Sequence, residues 1–363
     1  MSAYSNETML TIQEAVLLGH AMVQRLAVNA GIRAIFIKGP ASVLQGLRES
    51  KTSWDVDVLV SPAQLELTLQ ALGDRGWRQR PVNPDSRTFP RHSVTVDHPE
   101  WPCCIDVHYR FPGMEYPAAD CFEVMWSATN SCELAGIDLR VPSPPLGILI
   151  LALHALRSPH LPELRQELEL LSHLTATRSN APLILKLASE TGALAAARPF
   201  LEDMLQPCDA LEWPEASREW RNRSIPNEPG VARLTVLLQA PWQDRFALLC
   251  GAVFPTREVF LSRDIYADMT LLGRAALHWS RWSRFLRALP RAARNIGKLR
   301  LAMETSSGAR KSSGRLPLGP SSLLRFSYDY GESYHQSRHS CCRIGNTLPA
   351  RHQGNAEGNV AGG

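Results

Sequence analysis

The sequence predicts an α+β protein. A mixed β-sheet unit with flanking helices spans residues 1–141, an all-α region spans 142–304, and a disordered tail spans 305–363. Three observations carry this reading. Trp54-Asp55-Val56-Asp57-Val58-Leu59-Val60 reads as a buried strand holding two carboxylates. Ala34-Ile35-Phe36-Ile37 is another β-type run, and it ends at once in Lys38-Gly39-Pro40-Ala41-Ser42. After Pro142-Ser143-Pro144-Pro145 the apolar period changes from two to the helical 3.6.

Thr11-Ile12-Gln13-Glu14 has capping-box spacing, and apolar periodicity follows it over residues 12–29. The first strand is 33–38, and a helix after Gly39 runs to 47. Pro40 suits the first helical position, where a missing N–H costs nothing. The D-x-D strand follows, then Ser61-Pro62 opens a helix over 62–75 that Gly76 ends. Residues 77–80, 91–97 and 104–110 read as strands, and 81–90 as a loop. Beyond Pro142, helices are expected at 146–156, 162–174, 181–197, 231–239, 242–250 and 262–289, with 207–230 as a connection. From Glu304 on, Ser, Gly, Arg and His dominate, and the chain has too few apolar residues to order itself. His335, His339, Cys341 and Cys342 sit close together there, open to adventitious metal binding, but a functional metal site is not the expected reading.

On a strand, residues two apart share a face. Asp55 and Asp57 therefore stand side by side, with α-carbons roughly 6–7 Å apart. Either they point into water at a strand end, or a cation relieves their repulsion. Hard divalent cations take oxygen ligands of this kind. The Lys38-Gly39 corner offers backbone N–H groups and a positive charge to an anion. A third carboxylate, Asp106, lies in Cys104-Ile105-Asp106-Val107-His108-Tyr109-Arg110, with His108 on its face.

The order of these segments resembles the uncharacterised nucleotidyltransferase family of the polymerase-β-like superfamily. The resemblance rests on Ile37-Lys38-Gly39-Pro40, on Asp55 to Val60, on Gly76-Trp77 and on Ile105 to Tyr109. The Phe254-Pro255-Thr256 stretch and the helices around His154 extend it over residues 10–290. It implies a nucleotidyltransferase-like sheet domain and a metal-dependent transfer of a nucleoside monophosphate. The implied metal ligands and catalytic residues are Asp55, Asp57 and Asp106, holding two Mg²⁺ ions. The implied nucleotide contacts are Lys38, Gly39, Ser42 and His108, with ATP as the default donor. The sequence departs from the pattern in two places: Pro40 follows Gly39 where Ser or Gly is usual, and Lys51 stands where an Arg is usual, with Arg48 nearby.

The partners expected are a nucleoside triphosphate and an acceptor the sequence does not name: a small molecule, a peptide or a protein. A second reading on the same scaffold is a non-catalytic nucleotide- or partner-binding module. His154, Arg157 and His160 open the helical region and either meet substrate or serve the interface. Arg274, Arg281, Arg284, Arg287, Arg291, Arg294 and Lys298 recur at helical steps, interleaved with Trp279, Trp282 and Phe285. This stripe is either a nucleic-acid or anionic-membrane surface, or a solvated face beside a buried aromatic one. The second option is favoured here, so nucleic acid is not the expected partner.

Bulk properties fit a globular chain of 363 residues with a formal charge of +4. No apolar run is long enough to span a bilayer, and no signal peptide is evident. A cytoplasmic location is expected. Eight scattered cysteines show no C-x-x-C spacing, which argues against a zinc site and for reduced core thiols.

Overall fold

The computed structural model describes residues 10–82, 90–158, 161–178, 180–204, 213–224, 237, 240–287 and 290. The expected helix at 231–239, the tail at 305–363, His160, Arg291, Arg294 and Lys298 lie wholly or almost wholly outside these residues.

Helix α1 (Ile12–Asn29) starts at a complete capping box, in which Thr11 and Glu14 cap each other's backbone N–H. Strands β1 (Ala34–Phe36), β2 (Asp55–Val60), β3 (Arg78–Gln79), β4 (Ser93–Asp97) and β5 (Cys104–His108) form one sheet in the order β1-β2-β5-β4-β3. Only the β2–β5 pair is parallel; the others are antiparallel, so the sheet is mixed as expected. The short α2 (Pro40–Leu44) follows β1, and α3 (Leu65–Gly73) follows β2 after a single 3-10 turn.

Strand alternation gives the sheet two unlike faces. Phe36, Val56, Val58, Val60, Ile105 and Val107 point to one side and pack with α1 and α3 residues such as Val23, Leu26 and Leu72. Ile35, Ile37 and Leu59 point to the other side and pack with helices from the later chain. Asp55, Asp57, Asp106 and His108 belong to this second face by the same alternation.

In the chain, between the sheet strands and those helices, come α4 (Ala118–Ser127) and the hairpin β6 (Thr129–Leu134) with β7 (Ile137–Pro142), whose Leu134, Leu139 and Val141 join the core on the α1 side. The sequence reading assigned no element there. Ala135 and Gly136 both take positive φ at the two-residue turn, which is what a tight hairpin turn requires. Helix α5 (Pro144–Leu156) is buried almost all round from Leu146 to Leu153. A helix apolar on every side has to sit at the centre of a core. It packs with α6 (Pro162–Arg178), α7 (Ala181–Glu190) and α8 (Leu194–Leu201). Gly147 permits a close approach, because a Cβ there would lie 2.6 Å from Leu47.

Two helical expectations need correction. The helix expected over 181–197 is two helices, α7 and α8, because Gly192 takes φ +69° and ends the first one. The helix expected over 262–289 begins only at residue 271, after turns in which the backbone N–H groups of Tyr266 and Thr270 bond the side chains of Asp264 and Asp268. Within the stretch 207–230, expected as a connection, Arg218–Ser224 forms a helix, α9, and the further helices among the described residues are α10 (Trp242–Val253), α11 (Arg257–Leu261) and α12 (271–287). Among the described residues no helix is long and apolar enough to cross a membrane.

Candidate active site

The site grows from one register. In the parallel β2–β5 pair, Asp57 lies directly opposite Asp106, and Asp55 lies opposite Cys104. The two central carboxylates therefore stand abreast on one face. His108, two residues on from Asp106, joins them. Ligand atoms of Asp57, Asp106 and His108 all lie within 4.8 Å of one another. Asp57 and His108 are buried, while Asp106 and Asp55 are half-buried.

Asp57 is held by two cationic or polar partners. Lys38 Nζ lies 2.8 Å from Asp57 Oδ1, and His108 Nε2 donates to the same oxygen at 2.8 Å. Burial pushes the Asp57 carboxyl up, but the Lys38 ammonium and the His108 bond overcome this and hold it well below the usual carboxylate range. Asp106 accepts a 2.5 Å hydrogen bond from Thr95 Oγ1 on the neighbouring strand β4. That bond aims the carboxylate along the sheet face.

The Lys38-Gly39 corner sits beside this pair because Ile37 N donates to Asp57 O and continues the β1–β2 ladder by one step. Gly39 takes φ +68°, a conformation L side chains rarely adopt, and this turns the chain into α2. A Cβ there would sit 3.4 Å from Ser53 Oγ and 3.7 Å from His20 Nε2. His20 is fully buried on α1, donates from Nδ1 to Val16 O at 2.7 Å, and its Nε2 has no partner among the described residues. Burial lowers the His20 imidazole below its ordinary value. Ser42 is buried on α2.

A second layer of charge faces the acids. Burial, then Lys38 and Arg157, press the His154 imidazole well below its ordinary value. Burial, then Arg223, bring the Arg157 guanidinium down to about 10, with Asp57 and Glu219 opposing. The His92 ring lies tilted at 45° to that of His108 with centroids 5.5 Å apart, and burial followed by Arg157 drives the His92 imidazole far below the histidine range. Glu219 of α9 accepts from both Arg110 (2.6 Å) and Arg223 (2.8 Å). Arg48, which lies near the position where the family usually carries an Arg, pairs with Glu167 at 2.9 Å. Carboxylates on the sheet thus meet the cations Lys38, Arg157 and Arg223 and the buried imidazoles of His108 and His154. Such a pairing of signs suits a ligand that carries both phosphate and metal.

Five of the seven candidates from the sequence meet at one place: Lys38, Gly39, Asp57, Asp106 and His108. Asp55 shares their face one step along β2 but lies outside the three-residue ligand cluster, where His108 stands instead. Ser42 lies on α2 beyond the corner. The sequence reading missed His20, His92, Thr95, Arg110, Glu219 and Arg223. Thr95 alone had a local signal, since it sits on a strand with the right alternation to meet Asp106.

A search of curated proteins returned no match. Three solved structures show a distant likeness. One is an antigenic nucleotidyltransferase-like protein from Paracoccidioides brasiliensis, at 14% identity over 53% of this chain and 92% of that one, with a TM-score of 0.32. Another is a tRNA-processing enzyme in an apo form, at 15% identity over 77% and 79%, with a TM-score of 0.24. The third is a tRNA nucleotidyltransferase complexed with a primer tRNA and an incoming ATP analogue, at 13% identity over 80% and 100%, with a TM-score of 0.22. The model of one family, described as uncharacterised nucleotidyltransferase, matches residues 13–202, more than half of the chain. That span includes the Lys38-Gly39 corner, β2, β5 and α5, and the chain belongs to the uncharacterised nucleotidyltransferase family.

Proposed function

We propose that this protein transfers a nucleoside monophosphate from a nucleoside triphosphate, ATP by default, to a hydroxyl on a small-molecule, peptide or protein acceptor. The observation that supports this most is the Asp57–Asp106 pair, abreast on parallel strands beside the Lys38-Gly39 corner. The donor set fits a hard divalent cation such as Mg²⁺: carboxylate oxygens of Asp57 and Asp106 converge, the first held through Oδ1 by Lys38 and His108 and the second through Oδ1 by Thr95. Asp57 and Asp106, with Asp55 beside them, are the residues that would hold it. A bound cation would supply charge neutralisation at the phosphates and at the attacking and leaving oxygens.

The rest of the work falls to side chains. Lys38 carries a positive charge to the phosphates, and the Gly39 backbone allows their close approach. His108 orients Asp57 through its Nε2–H. Asp106, aimed by Thr95, is placed to draw the proton from the acceptor hydroxyl. Positioning and charge dominate, as phosphoryl-type transfer requires. The test is pyrophosphate release from each of the four nucleotides with Mg²⁺, together with a mass shift on candidate acceptors. Full activity in Asp106→Asn would sink the reading.

A second reading is nucleotide binding without turnover. It draws on Pro40 in place of Ser or Gly and on the Lys38 ammonium already seated on Asp57. Calorimetric binding of Mg²⁺-nucleotide with no product from any acceptor would favour it.

A further inference from the structure

We infer that α12 (271–287) is an in-plane helix that docks this protein on an anionic lipid surface. The inference is independent of the transferase reading. At 3.6 residues per turn, Leu271, Leu272, Trp279, Trp282, Phe285 and Leu286 fall on one side of this helix. Arg281, Arg284 and Arg287 fall on the opposite side, and Arg274 lies at the border beside Phe285.

Of the two readings the sequence left for this stripe, one required the aromatic face to be buried. It is not. Leu271 and Leu272 are 85% exposed, Trp279 is 77% exposed, and Phe285 and Leu286 are also exposed. The helix is attached along one edge, where His278 meets the Phe260 ring of α11 edge-on at 4.9 Å. Trp282 is half-buried, edge-on to Phe285 at 6.0 Å, and among the described residues nothing else covers the remaining apolar side chains.

Charge says what covers that face. Residues 271–303 hold eight Lys and Arg and no Asp or Glu. The remainder of the chain has 31 Lys and Arg against 35 Asp and Glu, so the whole positive balance resides in this segment. A second copy of the chain would set like charges against each other. A nucleic acid would want aromatic rings and arginines on one face, for stacking and phosphate contact together. Here they are opposed, and leucines accompany the rings. Trp, Phe and Leu on one side with Arg on the other is the arrangement that lies in a bilayer interface: the apolar side enters the acyl boundary and the cations stay among anionic headgroups.

The experiment is flotation of the full chain with vesicles of phosphatidylcholine alone or mixed with phosphatidylglycerol, at low and high salt. Binding is expected to be at least about tenfold stronger on the mixed vesicles and to weaken with salt. Leu272→Glu/Trp279→Glu should lose at least tenfold of it, and Arg284→Gln/Arg287→Gln should lose most of the lipid preference. All four side chains lie outside the acidic site, so nucleotide binding and the melting curve should stay as in the parent chain. Equal flotation on neutral and mixed vesicles, or none on either, overturns the inference. So does wild-type flotation by the Leu272→Glu/Trp279→Glu variant. Tighter binding to a mixed-sequence single-stranded RNA than to vesicles, untouched by that variant, would assign the surface to nucleic acid instead. Dimerisation abolished by the same variant would assign it to a second copy.

Discussion

The two faces of the central sheet are built from the same strands and do opposite things. On one side Val56, Val58, Ile105 and Val107 are buried against α1 and α3. On the other, one residue out of step, Asp57, Asp106 and His108 gather beside Lys38. A strand cannot bend to separate the two tasks, because its period is two. The apolar face therefore supplies the rigidity that holds the charged face in register. Changes on the apolar face should cost stability, and changes on the charged face should cost chemistry.

The sharpest test of that division is Asp106→Asn. Asp106 is half-buried and keeps its Thr95 partner as an amide, so melting should shift little. Nucleotidyl transfer should fall by at least about 1000-fold, roughly 4 kcal/mol. A large loss of stability with unchanged turnover per folded molecule would reverse the assignment of the faces.

Ile105→Ala probes the adjacent residue on the opposite side. Ile105 is fully buried, so its truncation should cost about 3 kcal/mol in a urea titration. Activity per folded molecule should stay near wild type. A comparable loss in turnover would show that the charged face depends on the apolar one more closely than this division allows.

Acid should weaken the fold through His20. Its folded imidazole is pressed below its ordinary value by burial, so the unfolded chain binds the extra proton. Stability must therefore rise with pH in this window and fall as pH drops through the unfolded value of about 6.5. Between pH 6.5 and 5.5 this amounts to about 1 kcal/mol for a histidine that stays neutral when folded. A His20→Gln chain, measured by denaturant titration across the same interval, should show a flatter profile. His92 and His154 are shifted the same way and will keep part of the slope.

The smallest effect expected is that of Thr95→Val, which deletes the hydroxyl that donates to Asp106. Turnover should drop about fivefold, roughly 1 kcal/mol, with the change in kcat rather than KM. A pure KM effect would mean that Thr95 serves substrate binding and not the aim of the carboxylate.

Much of this was legible in the chain itself. Alternation alone set Asp55 beside Asp57 and Asp106 beside His108, because side-chain direction on a strand depends only on parity. Gly39 announced its turn, since few other residues tolerate φ +68°. The break at Gly192 was equally local but was hidden inside a strong apolar period, and the helix was read through it. The hairpin β6–β7 escaped notice because Ala135-Gly136 is a weak turn signal and the flanking residues alternate poorly.

The sequence by itself determined which residues of a strand share a face, that the chain turns at Gly39, and that a basic, aromatic segment lies near its end. Only the tertiary structure decided that β2 pairs in parallel with β5, that Asp57 therefore faces Asp106, and that Lys38 and His108 close on the same carboxylate oxygen. It also decided that Leu271, Leu272, Trp279, Phe285 and Leu286 of α12 are exposed while Trp282 is half-buried. The reason is physical: parity and turn chemistry act between neighbours in the chain, whereas strand pairing and burial join segments about fifty residues apart through a shared core that no local pattern encodes.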